Sequence, residues 1–205
     1  YNSDIDYDFV AFCDQDDIWH TDKLSEGLRL MASSESSFYS SNLNAFFEDG
    51  SNKLILKNPS KKFEHLFSSA SAGCTFILDR NFFYFVVTEF NKYSMLKEFK
   101  CHDWLIFLLA KENAFSHVHD NRFFIDYRQH DNNVAGANIG LKSKLRRLSI
   151  MFGGWYYQDV IISLRYRMLK CNSIRDLFFS PFQLRSSRLE SLLIYFYFLL
   201  IYFKV

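Results

Sequence analysis

Three carboxylates near the start of the chain are the first candidates for chemistry. Asp14, Asp16 and Asp17 come directly after the apolar run Phe9–Cys13. An unbroken apolar run bounded by polar residues predicts a buried, parallel strand, and open α/β sheets bind ligands at the carboxyl ends of such strands. Because neighbouring carboxylates repel one another, a hard divalent cation shared with substrate phosphates suits this arrangement. The alternative is an acidic turn that caps the following helix.

The other candidates lie near the ends of predicted elements. Gly73 and Thr75 precede a β-rich run, which indicates either close backbone approach to a ligand or a tight turn before a core strand. Asp103 precedes a strongly apolar segment and, on the residues alone, is best explained as a helix N-cap. Arg128 could bind phosphate oxygens or pair with a nearby acid, and His130, taken alone, is best explained as a loop histidine.

At 205 residues the chain fits one α/β domain plus an appendage. The predicted strands are 9–13, 38–47, 53–56 and 118–127, and a turn at 48–52 joins the second and third of them into a hairpin. The predicted helices begin at 21 or 22, cover 82–90 and include 105–110. On the first helix, Leu24, Leu28 and Met31 fall on one face.

Three segments resemble motifs of a known family, and they occur in the family's order. Phe-Cys-Asp-Gln-Asp-Asp-Ile-Trp at 12–19, His-Asp-Trp at 102–104 and Tyr-Arg-Gln-His at 127–130 are similar to motifs of the family 2 glycosyltransferases, in the subgroup that includes bacterial rhamnosyltransferases. The resemblance implies a GT-A, Rossmann-like α/β sandwich, with its C-terminal two-thirds over 1–138 and a basic, aromatic-rich helical tail over 139–205. Because the family has a nucleotide-binding half before the first motif, we expect a sequence that is incomplete at its N-terminus.

The resemblance also implies roles for the motif residues. Asp16 would be the main ligand of Mg²⁺ or Mn²⁺, Asp14 would face the ribose or a metal-bound water, and Asp17 matches the motif without a defined role. His130 would complete the metal shell or touch the diphosphate. Asp103 would be the general base that takes the proton of the acceptor hydroxyl during an inverting transfer.

Two further residues receive roles in the same way: Gly73 and Thr75 would line the donor sugar and acceptor. The chemistry of Arg128 suits phosphate oxygens of the nucleotide-sugar, with pairing to a nearby acid as the alternative. The residue after the motif histidine is Asp131, where the subgroup commonly has Gly, so the chain departs from the family pattern in that loop.

The hypothesis that follows is a metal-dependent inverting glycosyltransferase of cell-surface polysaccharide synthesis. It would move a sugar, with rhamnose as one candidate, from a dTDP-, UDP- or GDP-sugar to a saccharide or lipid-linked acceptor. One alternative is a truncated GT-A-like domain without activity. A second alternative is a metal-dependent phosphohydrolase built on the same acidic strand end.

Charge and apolar residues are unevenly distributed along the chain. Residues 1–139 carry 13 Lys/Arg against 20 Asp/Glu, a balance of −7, whereas 140–205 carry 11 against 3, a balance of +8. The apolar run Leu192–Phe203 is shorter than the roughly 20 residues that span a bilayer. A basic, aromatic tail predicts peripheral contact with anionic lipid, and the alternatives are a helix packed on the catalytic domain or a membrane span cut short. We expect a cytoplasmic protein at the inner face of a bacterial plasma membrane, without a nucleic-acid partner.

Overall fold

The computed structural model describes residues 6–129, 154–171 and 173–202. Its six strands are β1 (Phe9–Ala11), β2 (Ile18–Trp19), β3 (Phe38–Phe46), β4 (Asn52–Ile55), β5 (Ile77–Asp79) and β6 (His117–Arg128). The six α-helices in the described residues are α1 (Lys23–Ser33), α2 (Arg80–Lys92), α3 (His102–Glu112), α4 (Trp155–Cys171), α5 (Arg175–Phe178) and α6 (Arg188–Ile201). Short 3₁₀ helices cover Glu64–Leu66, Gly73–Thr75 and Ser94–Glu98. The predicted α/β class is confirmed, and it is compatible with a Rossmann-like glycosyltransferase fold.

The chain divides into two compact units, each assembled from separate stretches of sequence. The first takes the described residues within 1–57, 71–89 and 114–137, and the second takes those within 58–70, 90–113 and 138–205. The division predicted from the motifs, a catalytic domain over 1–138 and a tail over 139–205, stays a prediction about function.

The first unit contains one six-stranded sheet. Its order is β1-β5-β3-β6-β2, and β4 pairs with β3. β3 and β6 run parallel, whereas every other pair in this sheet is antiparallel. The predicted β3–β4 hairpin is confirmed, with Gly50 at φ +81° in its turn, a conformation that glycine adopts without steric cost.

The prediction for the first strand is wrong in direction and burial. β1 pairs antiparallel with β5, and Phe9 is 44% exposed. An apolar run determines neither the direction of the neighbouring strand nor how much of the run itself is buried. The parallel, buried arrangement therefore did not follow from the residues.

The buried face of α1 matches the predicted one in part, since Met31 belongs to a buried cluster and Leu28 packs against it. Its buried residues are Lys23, Gly27 and Met31, while Leu24 is exposed. A Cβ on Gly27 would lie 2.7 Å from Ile77 Cδ1, so a larger residue here would require the end of the Ile77 side chain to move. The helix is therefore rotated so that its small residue, not its first leucine, faces the sheet.

Helix α3 is the centre of the second unit. Seven consecutive residues, 104–110, are buried, so the helix is apolar on all sides. Trp104 packs on Tyr156 with ring centroids 5.3 Å apart, and Tyr156 packs on Tyr197 at 6.0 Å. The Trp104 indole N–H donates to the carbonyl of His65 at 2.7 Å. Aromatic side chains thus connect α3 with α4 and α6, and the polar ends of such rings find partners.

A buried ionic network lies at the other end of α3. Glu112 Oε1 is 2.6 Å from His65 Nε2 and accepts a hydrogen bond from Arg167 at 2.7 Å. Arg167 also donates to Asp176 at 3.1 Å. The side chain of Glu112 is 1% exposed, so its charge depends on these two partners for compensation.

Candidate active site

The acidic residues occupy the loop between β1 and β2. At one end, the Phe12 N–H donates to the Phe76 carbonyl at 3.1 Å. At the other end, β2 pairs with β6, with Ile18 opposite Asp126. The loop that holds Asp14, Asp16 and Asp17 is therefore fixed on both sides by strands of the same sheet.

Two of the three carboxylates come together with a thiol. Ligand atoms of Asp14, Asp17 and Cys74 all lie within 4.8 Å of one another, and Asp16 is outside this group. Asp17 Oδ2 is buried and has no hydrogen-bond partner among the described residues. Burial raises the pKa of the Asp17 carboxyl, and the charges of Asp14 and Asp16 raise it further, against hydrogen bonds from Cys74 and Arg128. The site therefore concentrates negative charge that a cation would compensate.

The donor set fits a hard divalent cation on its carboxylate side. Mg²⁺ and Mn²⁺ prefer oxygen ligands, which Asp14 and Asp17 supply. Burial raises the pKa of the Cys74 thiol, and Asp17 raises it further. Because hard cations prefer oxygen to sulfur, Asp14 and Asp17 are the residues of this group that could hold such an ion. The sequence prediction gave the leading role to Asp16, and that assignment stays a prediction.

The end of β6 contacts the acidic loop, 111 positions away in sequence. The Arg128 backbone N–H donates to Asp17 Oδ1 at 3.2 Å, and its guanidinium donates to the Asp16 carbonyl at 3.2 Å. The guanidinium also lies over the Phe46 ring, 4.8 Å from the centroid. Two of the three motifs thus meet in the first unit. His130, the predicted third metal ligand, lies outside the described residues.

The stretch Gly73–Thr75 forms a buried 3₁₀ turn. Thr75 is fully buried, and its hydroxyl donates to the Ala72 carbonyl at 2.8 Å, which stabilises the turn. The residue between the two predicted ones, Cys74, is the one that reaches the carboxylates. The predicted contact of Gly73 and Thr75 with the donor sugar stays a prediction.

A buried lysine near the acidic loop, Lys23, was not predicted from the sequence. Lys23 is 1% exposed, and its ammonium lies 3.5 Å from the centroid of the Trp19 ring without a hydrogen-bond partner among the described residues. Burial lowers its pKa to about 8. A signal was present, because Lys23, Gly27 and Met31 recur every four residues, but a lysine is rarely expected on the buried face of a helix.

Asp103 belongs to the second unit and lies in the first turn of α3. The N-cap position is Cys101, so the N-cap explanation for Asp103 is wrong by two residues. Asp103 Oδ1 accepts hydrogen bonds from the Trp104 N–H at 2.8 Å and from the Cys101 thiol at 2.6 Å. The carboxylate is half-buried, and its role as general base stays a prediction.

The fold and the acidic loop together define a mixed α/β protein with a carboxylate pair suited to a divalent cation. The chain is 32% identical over 160 residues to the dTDP-rhamnosyl transferase RfbG of Shigella flexneri, and the alignment covers 75% of this chain. It covers 54% of the relative, so the chain spans about half the length of that protein. No family model matches the chain. The similarity supports a rhamnosyltransferase-like glycosyltransferase.

Proposed function

We propose that the complete protein is a family 2, GT-A glycosyltransferase that moves rhamnose from dTDP-rhamnose to a saccharide or lipid-linked acceptor in cell-surface polysaccharide synthesis. The observation that carries this proposal is the 32% identity, over 160 residues, to a protein named as a dTDP-rhamnosyl transferase. The contact between Arg128 and the acidic loop supports it, because two motifs far apart in sequence meet in space. UDP- and GDP-sugars are the alternative donors.

The chain's own residues account for three parts of such a reaction. Asp14 and Asp17 would hold Mg²⁺ or Mn²⁺, which when bound neutralises charge on the diphosphate. Arg128 fixes the acidic loop through its backbone N–H and guanidinium. Asp103 would take the proton of the acceptor hydroxyl while the new C–O bond forms on one face of the sugar. The bond to the diphosphate breaks on the opposite face, and dTDP leaves.

The first test is donor binding and transfer with the complete protein. Isothermal titration with dTDP-rhamnose, UDP-sugars and GDP-sugars in the presence of Mn²⁺ should show binding of dTDP-rhamnose. A detergent extract of lipid-linked saccharides from the native cells should then accept the labelled sugar. Absence of heat with every donor would favour an inert domain. Release of phosphate from simple esters without an acceptor would favour a phosphohydrolase.

Metal binding should depend on Asp17. The Asp17→Asn variant is expected to bind Mn²⁺ at least about tenfold more weakly, because it replaces a charged ligand with a neutral amide. Electron paramagnetic resonance of free Mn²⁺ measures the affinity directly. The control is Asp49→Asn, the same change at an exposed hairpin turn of the first unit. Equal Mn²⁺ affinity in wild type and Asp17→Asn would remove Asp17 from the metal site.

We further propose that α6 attaches the protein to the surface of an anionic membrane. No helix in the described part of the chain is long and apolar enough to cross a bilayer. Leu189, Leu193, Phe196 and Leu200 recur along one side of α6, and each is between 58% and 69% exposed. The opposite side of the helix is buried within the second unit. An apolar stripe in a segment with a balance of +8 suits an interfacial helix on anionic lipid.

Vesicle co-sedimentation tests this attachment. The double variant Leu193→Glu/Phe196→Glu should lower binding to vesicles that contain anionic phosphatidylglycerol by at least about tenfold, because two charges replace apolar side chains that would enter the lipid. Leu56→Glu, at another exposed leucine, is the control. Unchanged vesicle binding by the double variant would contradict the proposal. The proposal would also be contradicted if light scattering showed that the wild type is a dimer and that the double variant is a monomer.

A further inference from the structure

A buried carboxylate on α4 holds the backbone that leads into α3. Asp159 is fully buried, and its two oxygens accept separate hydrogen bonds. Oδ1 accepts from the Lys100 N–H at 2.9 Å, and Oδ2 accepts from the Cys101 N–H at 3.1 Å. Because both oxygens of one rigid group are used, the position and the direction of the chain are fixed two residues before Asp103.

The thiol of Cys101 extends this arrangement to Asp103 itself. Cys101 Sγ donates to Asp103 Oδ1 at 2.6 Å, and the Trp104 N–H donates to the same oxygen at 2.8 Å. Burial raises the pKa of the Cys101 thiol, and Asp103 raises it further, so the sulfur keeps its proton and remains a donor. Neither bond uses Oδ2, so that oxygen can accept a proton from a hydroxyl group.

Asp159 is a buried carboxylate whose hydrogen bonds go to the backbone. Burial raises the pKa of its carboxyl to about 6, against the two backbone hydrogen bonds that lower it. An apolar residue of similar volume would leave the Lys100 and Cys101 N–H groups without this acceptor, so Asp159 contributes to stability. It also imposes a defined geometry on Lys100 and Cys101.

We propose that Asp159 and Cys101 are positioning residues for the carboxylate of Asp103. Asp159 fixes the backbone at the start of α3, and Cys101 holds one carboxylate oxygen so that the other faces the acceptor. This inference rests on the proposed role of Asp103 as general base. If Asp159 has this role, α4 helps to position the catalytic base, whereas the sequence predicted a separate tail over these residues.

Steady-state kinetics of the complete protein test the proposal, with dTDP-rhamnose as donor and the lipid-linked saccharide extract as acceptor. Cys101→Ala and Asp159→Asn should lower kcat by about tenfold to a hundredfold, because small displacements of a reacting group have effects of that size. The KM for dTDP-rhamnose should stay within about twofold. Cys101→Ser should recover most of the activity, because its hydroxyl can donate to Asp103 in place of the thiol.

The control is Asn113→Ala at the far end of α3. Asn113 donates to the Leu109 carbonyl and to Tyr166, so its loss weakens the same helix without touching Asp103. If Asp159→Asn fails to fold, as judged by circular dichroism, the Ala and Ser variants of Cys101 decide the question. Wild-type kcat in Cys101→Ala, or equal losses in its Ala and Ser variants, would overturn the positioning role. Full transfer by Asp103→Asn would instead overturn the proposed base.

Discussion

Asp103→Asn should lower sugar transfer by about 10²–10⁴-fold and leave the affinity for dTDP-rhamnose within about twofold of wild type. Asparagine has nearly the same shape as aspartate, and its amide oxygen can still accept from the Trp104 N–H and the Cys101 thiol. The substitution therefore preserves the first turn of α3 and removes the group that would accept a proton. A loss in kcat without a loss in donor binding is the signature of a missing base.

Two measurements separate this expectation from a general defect. Isothermal titration gives the affinity for dTDP-rhamnose, and transfer of labelled sugar to the lipid-linked saccharide extract gives kcat. Glu98→Gln is the control, since Glu98 is another carboxylate of the second unit and is exposed on the 3₁₀ helix before α3. Equal turnover by Asp103→Asn and wild type would remove Asp103 from the mechanism.

Glu112→Ala should lower the free energy of unfolding by about 3–5 kcal/mol, because it leaves the Arg167 guanidinium buried without its main partner. Arg167 is 9% exposed and donates to Glu112 at 2.7 Å. His65 loses the acceptor of its Nε2–H in the same substitution. Urea denaturation followed by tryptophan fluorescence measures the change, since Trp104 belongs to the same helix.

The matched control is Asp176→Ala, which removes the second carboxylate partner of Arg167. Its side chain is 44% exposed, so solvent screens the pair and the cost should be at most about 1 kcal/mol. Similar losses for both variants would contradict the view that burial makes Glu112 the important partner.

The same network predicts how stability depends on pH. Burial lowers the pKa of His65, and for Glu112 the opposing effect of burial is outweighed by hydrogen bonds from His65 and Arg167, so its pKa is lowered as well. Both groups have lower pKa values in the folded than in the unfolded protein, so stability is lost as pH falls. For His65 the loss begins near the ordinary histidine pKa of 6.5, and for Glu112 it begins near the ordinary glutamate pKa of 4.5.

Urea denaturation between pH 7.5 and 5 checks this dependence. The slope should approach about 1.4 kcal/mol per pH unit for each proton that only the unfolded state takes up. His65→Gln should flatten the curve between about pH 6.5 and 5, since the variant cannot bind that proton. An unchanged slope in His65→Gln would assign the acid sensitivity to other groups.

Local patterns predicted the elements well and their partners poorly. The β3–β4 hairpin followed from a turn sequence around Gly50, and α3 followed from its unbroken apolar run. The antiparallel partner of β1 did not, because an apolar run has no direction. The burial of Lys23 could not be predicted either, since it depends on which side of α1 faces the rest of the first unit.

The candidate site shows the same division. The motif identified the acidic loop, but the order of carboxylates in sequence did not show which of them converge. Asp14 and Asp17 lie near Cys74 because β5 places its preceding turn beside the loop, which is a long-range property of the sheet. The contact of Arg128 with Asp16 and Asp17 likewise depends on the pairing of β2 with β6.

The discontinuous second unit has a consequence for biosynthesis. Its central helix is translated before the residues of α4 and α6 that pack on Trp104 and Tyr156. During synthesis, more than forty further residues follow that helix before the first residues of α4, which cover its apolar surface, are added. A nascent chain in this state exposes apolar surface that is prone to aggregation. The yield of soluble protein in cells should therefore depend on the chaperone concentration and on the rate of translation.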